Sequence, residues 1–171
     1  MKTRGFEFVS QDFRKNNLPA MLPQRGTKTS AGYDFSTPVE VNIAPHCQMT
    51  IWTDVKAYMQ VGEVLILDVR SSIGINKGLM LANVIGIIDQ DYYSNPKNDG
   101  NIGICLYNKS NNVVKLELGE RIAQGIFIPF LEADNGNTDN ERIGGIGSTG
   151  EVEVPLVTKE SIANAKVICN K

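Results

Sequence analysis

The sequence predicts an all-β fold, a jelly-roll-like barrel or sandwich with one short helix. Three observations lead there: short β-branched or alternating runs recur along the chain, clusters of turn residues separate them, and no long segment shows a helical period. In order, the runs are Phe6–Val9, Val39–Ile43, Val64–Val69, Val84–Ile88, Asn101–Tyr107, Val113–Leu118 and Ile122–Phe130. The turn clusters include Pro23-Gln24-Arg25-Gly26, the stretch Asn95 to Gly100, and Asp134-Asn135-Gly136-Asn137. Such residues supply turns through a fixed φ, a tolerated positive φ or a side chain that bonds its own backbone. The helix is expected at Ser71-Ser72 followed by Ile73 to Lys77, where a serine can cap the first free amides and Gly78 can end the turn. A helix N-terminus at that point attracts anions.

Bulk composition narrows the function. The chain has 171 residues, 42% hydrophobic and 21% charged, enough for one globular domain with a sizeable core. Its 17 basic and 19 acidic residues are interspersed and sum to a formal charge of -2, so no basic stripe is available for a nucleic-acid polymer. Three cysteines, Cys47, Cys105 and Cys169, lack paired metal-ligand spacing and are odd in number, which predicts a reducing compartment rather than a disulfide framework. The longest apolar stretch, Leu79 to Ile88, contains Asn83 and is too short to span a bilayer, so a soluble cytoplasmic protein is expected. The chain divides into a β-domain over 1–133, a polar glycine-rich arm over 134–150 and an extension over 151–171. The arm has too few apolar side chains to pack and is expected to move in the free protein and close on a ligand. The extension has no assigned structure or role.

Several groups carry chemistry. Arg70, Ser71 and Ser72 follow an apolar strand and bring a guanidinium, two hydroxyls and free amides to one place, a set that suits a phosphate chain. Also open from these residues is an ion pair of Arg70 with Asp68 or Asp54, with the serines only capping. Asp89 and Asp91 leave the strand Val84–Ile88, where a carboxylate can orient and deprotonate water, or can simply form a turn. An aspartate is a weak base, so the electrophile would need help from a cation. Asn83, inside an apolar run, is expected to be buried and to need hydrogen-bond partners. Arg142 with Gly144-Gly145-Ile146-Gly147-Ser148-Thr149-Gly150 holds the parts of an anion-embracing loop, or of a plain linker. His46 has no acidic or cysteine partner near it in sequence and reads as structural.

Taken together, five segments in this order resemble the five motifs of the trimeric dUTPase family, in its bacterial and phage-like form. They are Ala31-Gly32-Tyr33-Asp34-Phe35, Arg70-Ser71-Ser72-Ile73-Gly74, Asn83 through Tyr92, Gly119-Glu120-Arg121-Ile122-Ala123-Gln124, and Arg142 to Gly150. The resemblance implies a jelly-roll homotrimer with shared sites that hydrolyses dUTP to dUMP and diphosphate, limiting uracil in DNA and supplying dUMP for thymidylate synthesis. It implies that Asp89 is the general base that positions water at the α-phosphorus, with Asp91 supporting. Tyr92 would lie under the deoxyribose, while Asn83 and the backbone of Gly86, Gly103 and Cys105 would bond the uracil. Arg70, Ser71, Ser72 and Gln124 would hold phosphates. Asp34 would reach Mg²⁺ only through water. The arm would close with Arg142 on a phosphate, Ile146 as an aliphatic lid on the uracil, Gly147 also binding substrate, and Ser148 and Thr149 near the γ end.

Four features depart from the family pattern. Residues Ser94 to Gly100 form an insert, Ile146 stands where a phenylalanine is usual, Arg142 is one residue closer to the glycines, and the extension beyond Gly150 is unusual. Two other readings compete. A dCTP deaminase shares the fold but needs a glutamate where this chain has Cys105, and a regulatory protein of this fold would use the insert and the extension as surfaces for a protein partner.

Overall fold

The computed structural model describes residues 2–17, 19–136 and 141–145. Ile146, Gly147, Ser148, Thr149 and the extension 151–171 lie outside the described residues. Twelve strands are described: β1 (Gly5–Phe8), β2 (Gln24–Arg25), β3 (Tyr33–Ser36), β4 (Val41–Ile43), β5 (Gln48–Trp52), β6 (Val55–Tyr58), β7 (Glu63–Val69), β8 (Leu79–Leu81), β9 (Gly86–Asp89), β10 (Gly103–Asn108), β11 (Val114–Leu116) and β12 (Arg121–Pro129). All pairings are antiparallel, in a five-stranded sheet β2-β3-β12-β7-β9, a three-stranded sheet β5-β10-β8, and the pairs β1-β6 and β4-β11.

One core joins the four sheets. Phe35, Ile43, Ile51, Val55, Leu65, Leu79, Leu106, Leu116 and Ile122 are all buried in it, so every sheet turns one face inward. The alternation is plain in β10, where Ile104, Leu106 and Asn108 point into the core and Gly103, Cys105 and Tyr107 point away from it. Asn108 is tolerated there because its amide donates to the carbonyls of Ile43, Ala44 and Asn112 while its oxygen accepts from Ser110. No helix among the described residues is long and apolar enough to cross a membrane.

Several sequence expectations need correction. The run Val39–Ile43 pairs only from Val41. Val84–Ile88 begins as a strand only at Gly86, because Val84 takes φ 67° in the turn between β8 and β9. Asn83 sits in that turn and is exposed, so it needs no internal partner. The short helix is a π-type turn, Ser72–Asn76, and no serine side chain caps it. Instead the Arg70 carbonyl accepts from both the Ile73 and Gly74 amides, which leaves the Ser71 and Ser72 hydroxyls uncommitted to capping. Gly78 does end the turn, with φ 68°.

Candidate active site

Two pockets collect the residues singled out by the sequence. The first has a volume of about 410 Å³ and is bounded by the β8–β9 turn, by β9, by the 3-10 turn Gln90–Tyr92 and by the outward face of β10. Asn83, Gly86, Asp89, Tyr92, Gly103 and Cys105 all line it. Two glycines are forced by strand packing: a Cβ on Gly86 would lie 2.9 Å from the Leu67 Cβ, and one on Gly103 would lie 3.0 Å from the Trp52 ring. Their backbones therefore form bare walls. Cys105 is a half-buried free thiol on the same face.

Asp89 ends β9 and opens the 3-10 turn, and Asp91 follows on its exposed side. Arg142 reaches both. Its Nη2 donates to Asp89 Oδ2 at 2.5 Å and its Nε to Asp91 Oδ1 at 2.6 Å, while its guanidinium lies 6.0 Å from the centre of the Tyr92 ring. The next residues continue across the pocket, where a Cβ on Gly145 would come within 2.5 Å of Tyr92 Cε2. Arg142 therefore belongs to the carboxylate pocket in this structure, whereas the family resemblance placed it on a phosphate. Tyr92 is 7% exposed, and its hydroxyl donates to the Asn101 carbonyl and accepts from the Asn98 amide. Burial raises the Tyr92 phenol above its ordinary pKa, against smaller downward pulls from the Asn98 hydrogen bond and the Arg142 charge.

The second pocket, about 340 Å³, gathers Asp34, Arg70, Ser71, Ser72 and Gln124. Sheet register does this: Asp34 of β3 lies opposite Gln124 of β12, which lies opposite Asp68 of β7, and Arg70 follows directly after β7. The Gln124 side chain crosses Gly32 so closely that a Cβ there would meet its Oε1 at 2.8 Å. Arg70 pairs with neither Asp68 nor Asp54. Its Nε lies 2.9 Å from Asp34 Oδ1, and Arg121 donates to Asp34 Oδ2 at 3.0 Å. Asp54 is taken up by the amides of Lys15 and Asn16 and the side chain of Asn101.

Arg121, Thr27 and Ser30 line this pocket without having been assigned a role from sequence. Arg121 could have been found, since it stands inside the segment Gly119 to Gln124, whereas Thr27 and Ser30 carried no signal. The two pockets share no lining residue, although β7 runs between their strands. His46 is exposed, with its ring 3.0 Å from Asn111 Oδ1, and touches neither.

Among the described residues, no three His, Cys, Asp or Glu side chains cluster as a metal cage. The second pocket offers one carboxylate, Asp34, already shared between two guanidiniums. That donor set does not fit a divalent cation bound by protein atoms alone. It fits a hard cation that arrives with its own phosphate and water oxygens.

Comparison with known proteins agrees with this layout. Residues 19–150 match the family described as dUTPase. The chain is 46% identical over 152 residues to the deoxyuridine 5'-triphosphate nucleotidohydrolase of Lactococcus lactis, covering 88% of this chain and 99% of that one. It is 35% identical over 152 residues to the mitochondrial enzyme of that name from Dictyostelium discoideum, covering 84% and 78%. Among solved structures it is similar to the dUTPase of Streptococcus mutans, with TM-score 0.67, 46% identity and coverage of 77% of this chain and 99% of that one. A phage phi11 dUTPase shares the fold at 22% identity and TM-score 0.63, covering 81% and 97%.

Proposed function

This chain belongs to the dUTPase family and is a hydrolase that converts dUTP to dUMP, and we propose that it does so with Asp89 as general base. Asp89 would orient and deprotonate the water that attacks the α-phosphorus, with diphosphate leaving in line. Asn83 and the exposed backbone of Gly86, Gly103 and Cys105 would bond the uracil. The Tyr92 ring would lie under the deoxyribose and leave no room for a 2′-hydroxyl. Arg70, Ser71, Ser72, Gln124 and the newly noted Arg121 would hold the phosphate chain.

Mg²⁺ carried on the triphosphate would withdraw charge from the phosphate oxygens. Asp34 would reach it through water while keeping Arg70 and Arg121 in place. For water to reach Asp89, Arg142 would release the carboxylate, and a phosphate is the natural anion to receive it.

One observation carries this reading: Asp89 ends β9 at the wall of the pocket that Asn83, Gly86, Tyr92, Gly103 and Cys105 also line. The family resemblance implies a homotrimer in which a complete site draws its halves from different subunits, the closed arrangement in which identical chains share sites. The relatives are named for dUTP hydrolysis, which leaves the deaminase alternative without support.

The test is diphosphate release from dUTP, dTTP, dCTP and UTP with Mg²⁺, comparing wild type with Asp89→Asn. Release from dUTP alone, lost in Asp89→Asn, is expected; equal release from UTP or full activity in Asp89→Asn refutes the assignment. A co-refolded mixture of Asp89→Asn and Arg70→Ala chains should recover activity that neither has alone. No recovery would refute sites shared between subunits.

A further inference from the structure

The insert Ser94 to Gly100 folds back onto Tyr92 and holds it at both ends. At the backbone end, the Asn95 side-chain amide donates to the Tyr92 carbonyl at 2.8 Å. At the ring end, the Asn98 amide donates to the Tyr92 hydroxyl at 2.7 Å, and that hydroxyl donates in turn to the Asn101 carbonyl at 2.7 Å. The two asparagines are themselves coupled, because Asn95 Nδ2 also donates to Asn98 Oδ1 at 2.7 Å.

The loop that carries them is tightly determined. Asn95 is buried, and its side-chain oxygen accepts from the amides of Lys97 and Asn98, while Asn98 Oδ1 accepts from the Gly100 amide. Gly100 has φ 80°, and a Cβ there would strike the Tyr92 carbonyl at 2.7 Å, so only glycine lets the chain approach this closely. Asp99 anchors the outer side through Lys56 at 2.8 Å and the Ser10 amide at 2.7 Å. Asn101, fully buried, is fixed by Asp54. A surface loop whose polar groups are satisfied this completely is a rigid brace, and what it braces is a side chain lining the carboxylate pocket.

We propose that Asn98, seconded by Asn95, is a positioning residue that sets the tilt of the Tyr92 ring and so determines discrimination between deoxyribose and ribose nucleotides. The inference rests on the reading of Tyr92 as the residue beneath the sugar. A phenol ring turns about two side-chain torsions, and van der Waals packing tolerates small tilts. The bond from Asn98 and the bond to Asn101 fix the far end of the ring, where a small rotation moves the surface that a 2′-hydroxyl would strike.

Four full-length proteins test this with dUTP and UTP as substrates: Asn98→Ala, Tyr92→Phe, the double variant, and Tyr92→Ala. The readout is the ratio of kcat/KM for dUTP to that for UTP, which a general loss of stability does not move. Asn98→Ala should lower the ratio by about tenfold, the equivalent of one neutral hydrogen bond. Tyr92→Phe, which keeps the ring and removes the hydroxyl through which Asn98 acts, should do the same. The double variant should be no worse than Tyr92→Phe, because loss of the hydroxyl already removes the bond through which Asn98 acts. Tyr92→Phe keeps the test decisive if Asn98→Ala does not fold.

The inference is overturned if Tyr92→Ala collapses the ratio while Asn98→Ala and Tyr92→Phe leave it at the wild-type value, or if the single effects multiply in the double variant. Should Tyr92→Ala itself keep the wild-type ratio, the reading of Tyr92 fails and takes the inference with it.

Discussion

Replacing Asp34 by asparagine preserves the shape of a side chain only 10% exposed and removes the single carboxylate of the guanidinium pocket. Arg70 and Arg121 both depend on it, but unequally. The Arg70 contact, at 2.9 Å with the arginine side chain 28% exposed, falls in the range of partly buried charge-assisted contacts, about 1.5–3 kcal/mol. The Arg121 contact at 3.0 Å has its arginine side chain 51% exposed, and solvent screening leaves it about 0–1 kcal/mol. Asp34 meets Arg70 through Nε, which leaves the terminal nitrogens to donate to phosphate. Losing that hold should lower kcat/KM for dUTP by roughly 10- to 150-fold, since each tenfold corresponds to about 1.4 kcal/mol. A double-mutant cycle on kcat/KM with Arg70→Lys should return a coupling of about 2 kcal/mol, and one with Arg121→Lys less than about 1 kcal/mol. If Asp34→Asn and Arg70→Lys act independently, the argument that Asp34 positions Arg70 is refuted.

Three further outcomes are expected. Asp89→Asn should abolish turnover and also speed hydrogen exchange of the amides in 142–145, because it removes the anion that Arg142 grips at 2.5 Å; unchanged exchange would mean that the contact does not hold the arm. Asp99→Asn should cost about 1–3 kcal/mol in denaturant unfolding at neutral pH. Burial pushes the Asp99 carboxyl up, but the Lys56 hydrogen bond, the Ser10 amide and the Lys56 charge together bring it below its ordinary value. Its stabilisation is thus present above the unfolded carboxylate range and is lost as the pH falls through the folded value, so the gap between wild type and variant should close below about pH 4. A gap that persists in acid would contradict this. Leu106→Ala, at a fully buried position in the middle of β10, should lower unfolding free energy by about 2–5 kcal/mol, and a loss below 1 kcal/mol would show that the site collapses around the deletion.

The strands legible in the sequence were those with sustained β-branched or alternating apolar runs, such as β7, β10 and β12. Those missed are short or polar. β5 exposes its first three residues, β8 has three residues in all, and β6 is separated from β5 only by Thr53 and by Asp54, which takes φ 56°. No local pattern announces a buried aspartate in a left-handed conformation; four donors from distant segments make it tenable there. Val84 is the same lesson in reverse. A β-branched residue inside an apolar run reads as strand, yet the separate pairing of β8 with β10 and of β9 with β7 forces the chain to turn at that point. Asn83 went with it, from an expected buried amide to an exposed one at a pocket mouth.

The site residues were legible as types, but their grouping depends on sheet order. β7 lies between β12 and β9, so the residues opposite its two edges enter different pockets even though Leu67 and Arg70 are close in sequence. The grouping gives the halves opposite polarity. In one, the guanidiniums of Arg70 and Arg121 face the single carboxylate of Asp34, an excess of positive charge. In the other, the guanidinium of Arg142 faces the two carboxylates of Asp89 and Asp91, an excess of negative charge. A nucleotide carries its charge at one end and a neutral base at the other, so on the proposed function this polarity would orient it before any specific contact forms, with phosphates toward Arg70 and base toward Asn83. On the proposed function, the α-phosphorus, which joins the two ends, would fall where a carboxylate half and a guanidinium half from different subunits meet, beside the Asp89 that ends β9.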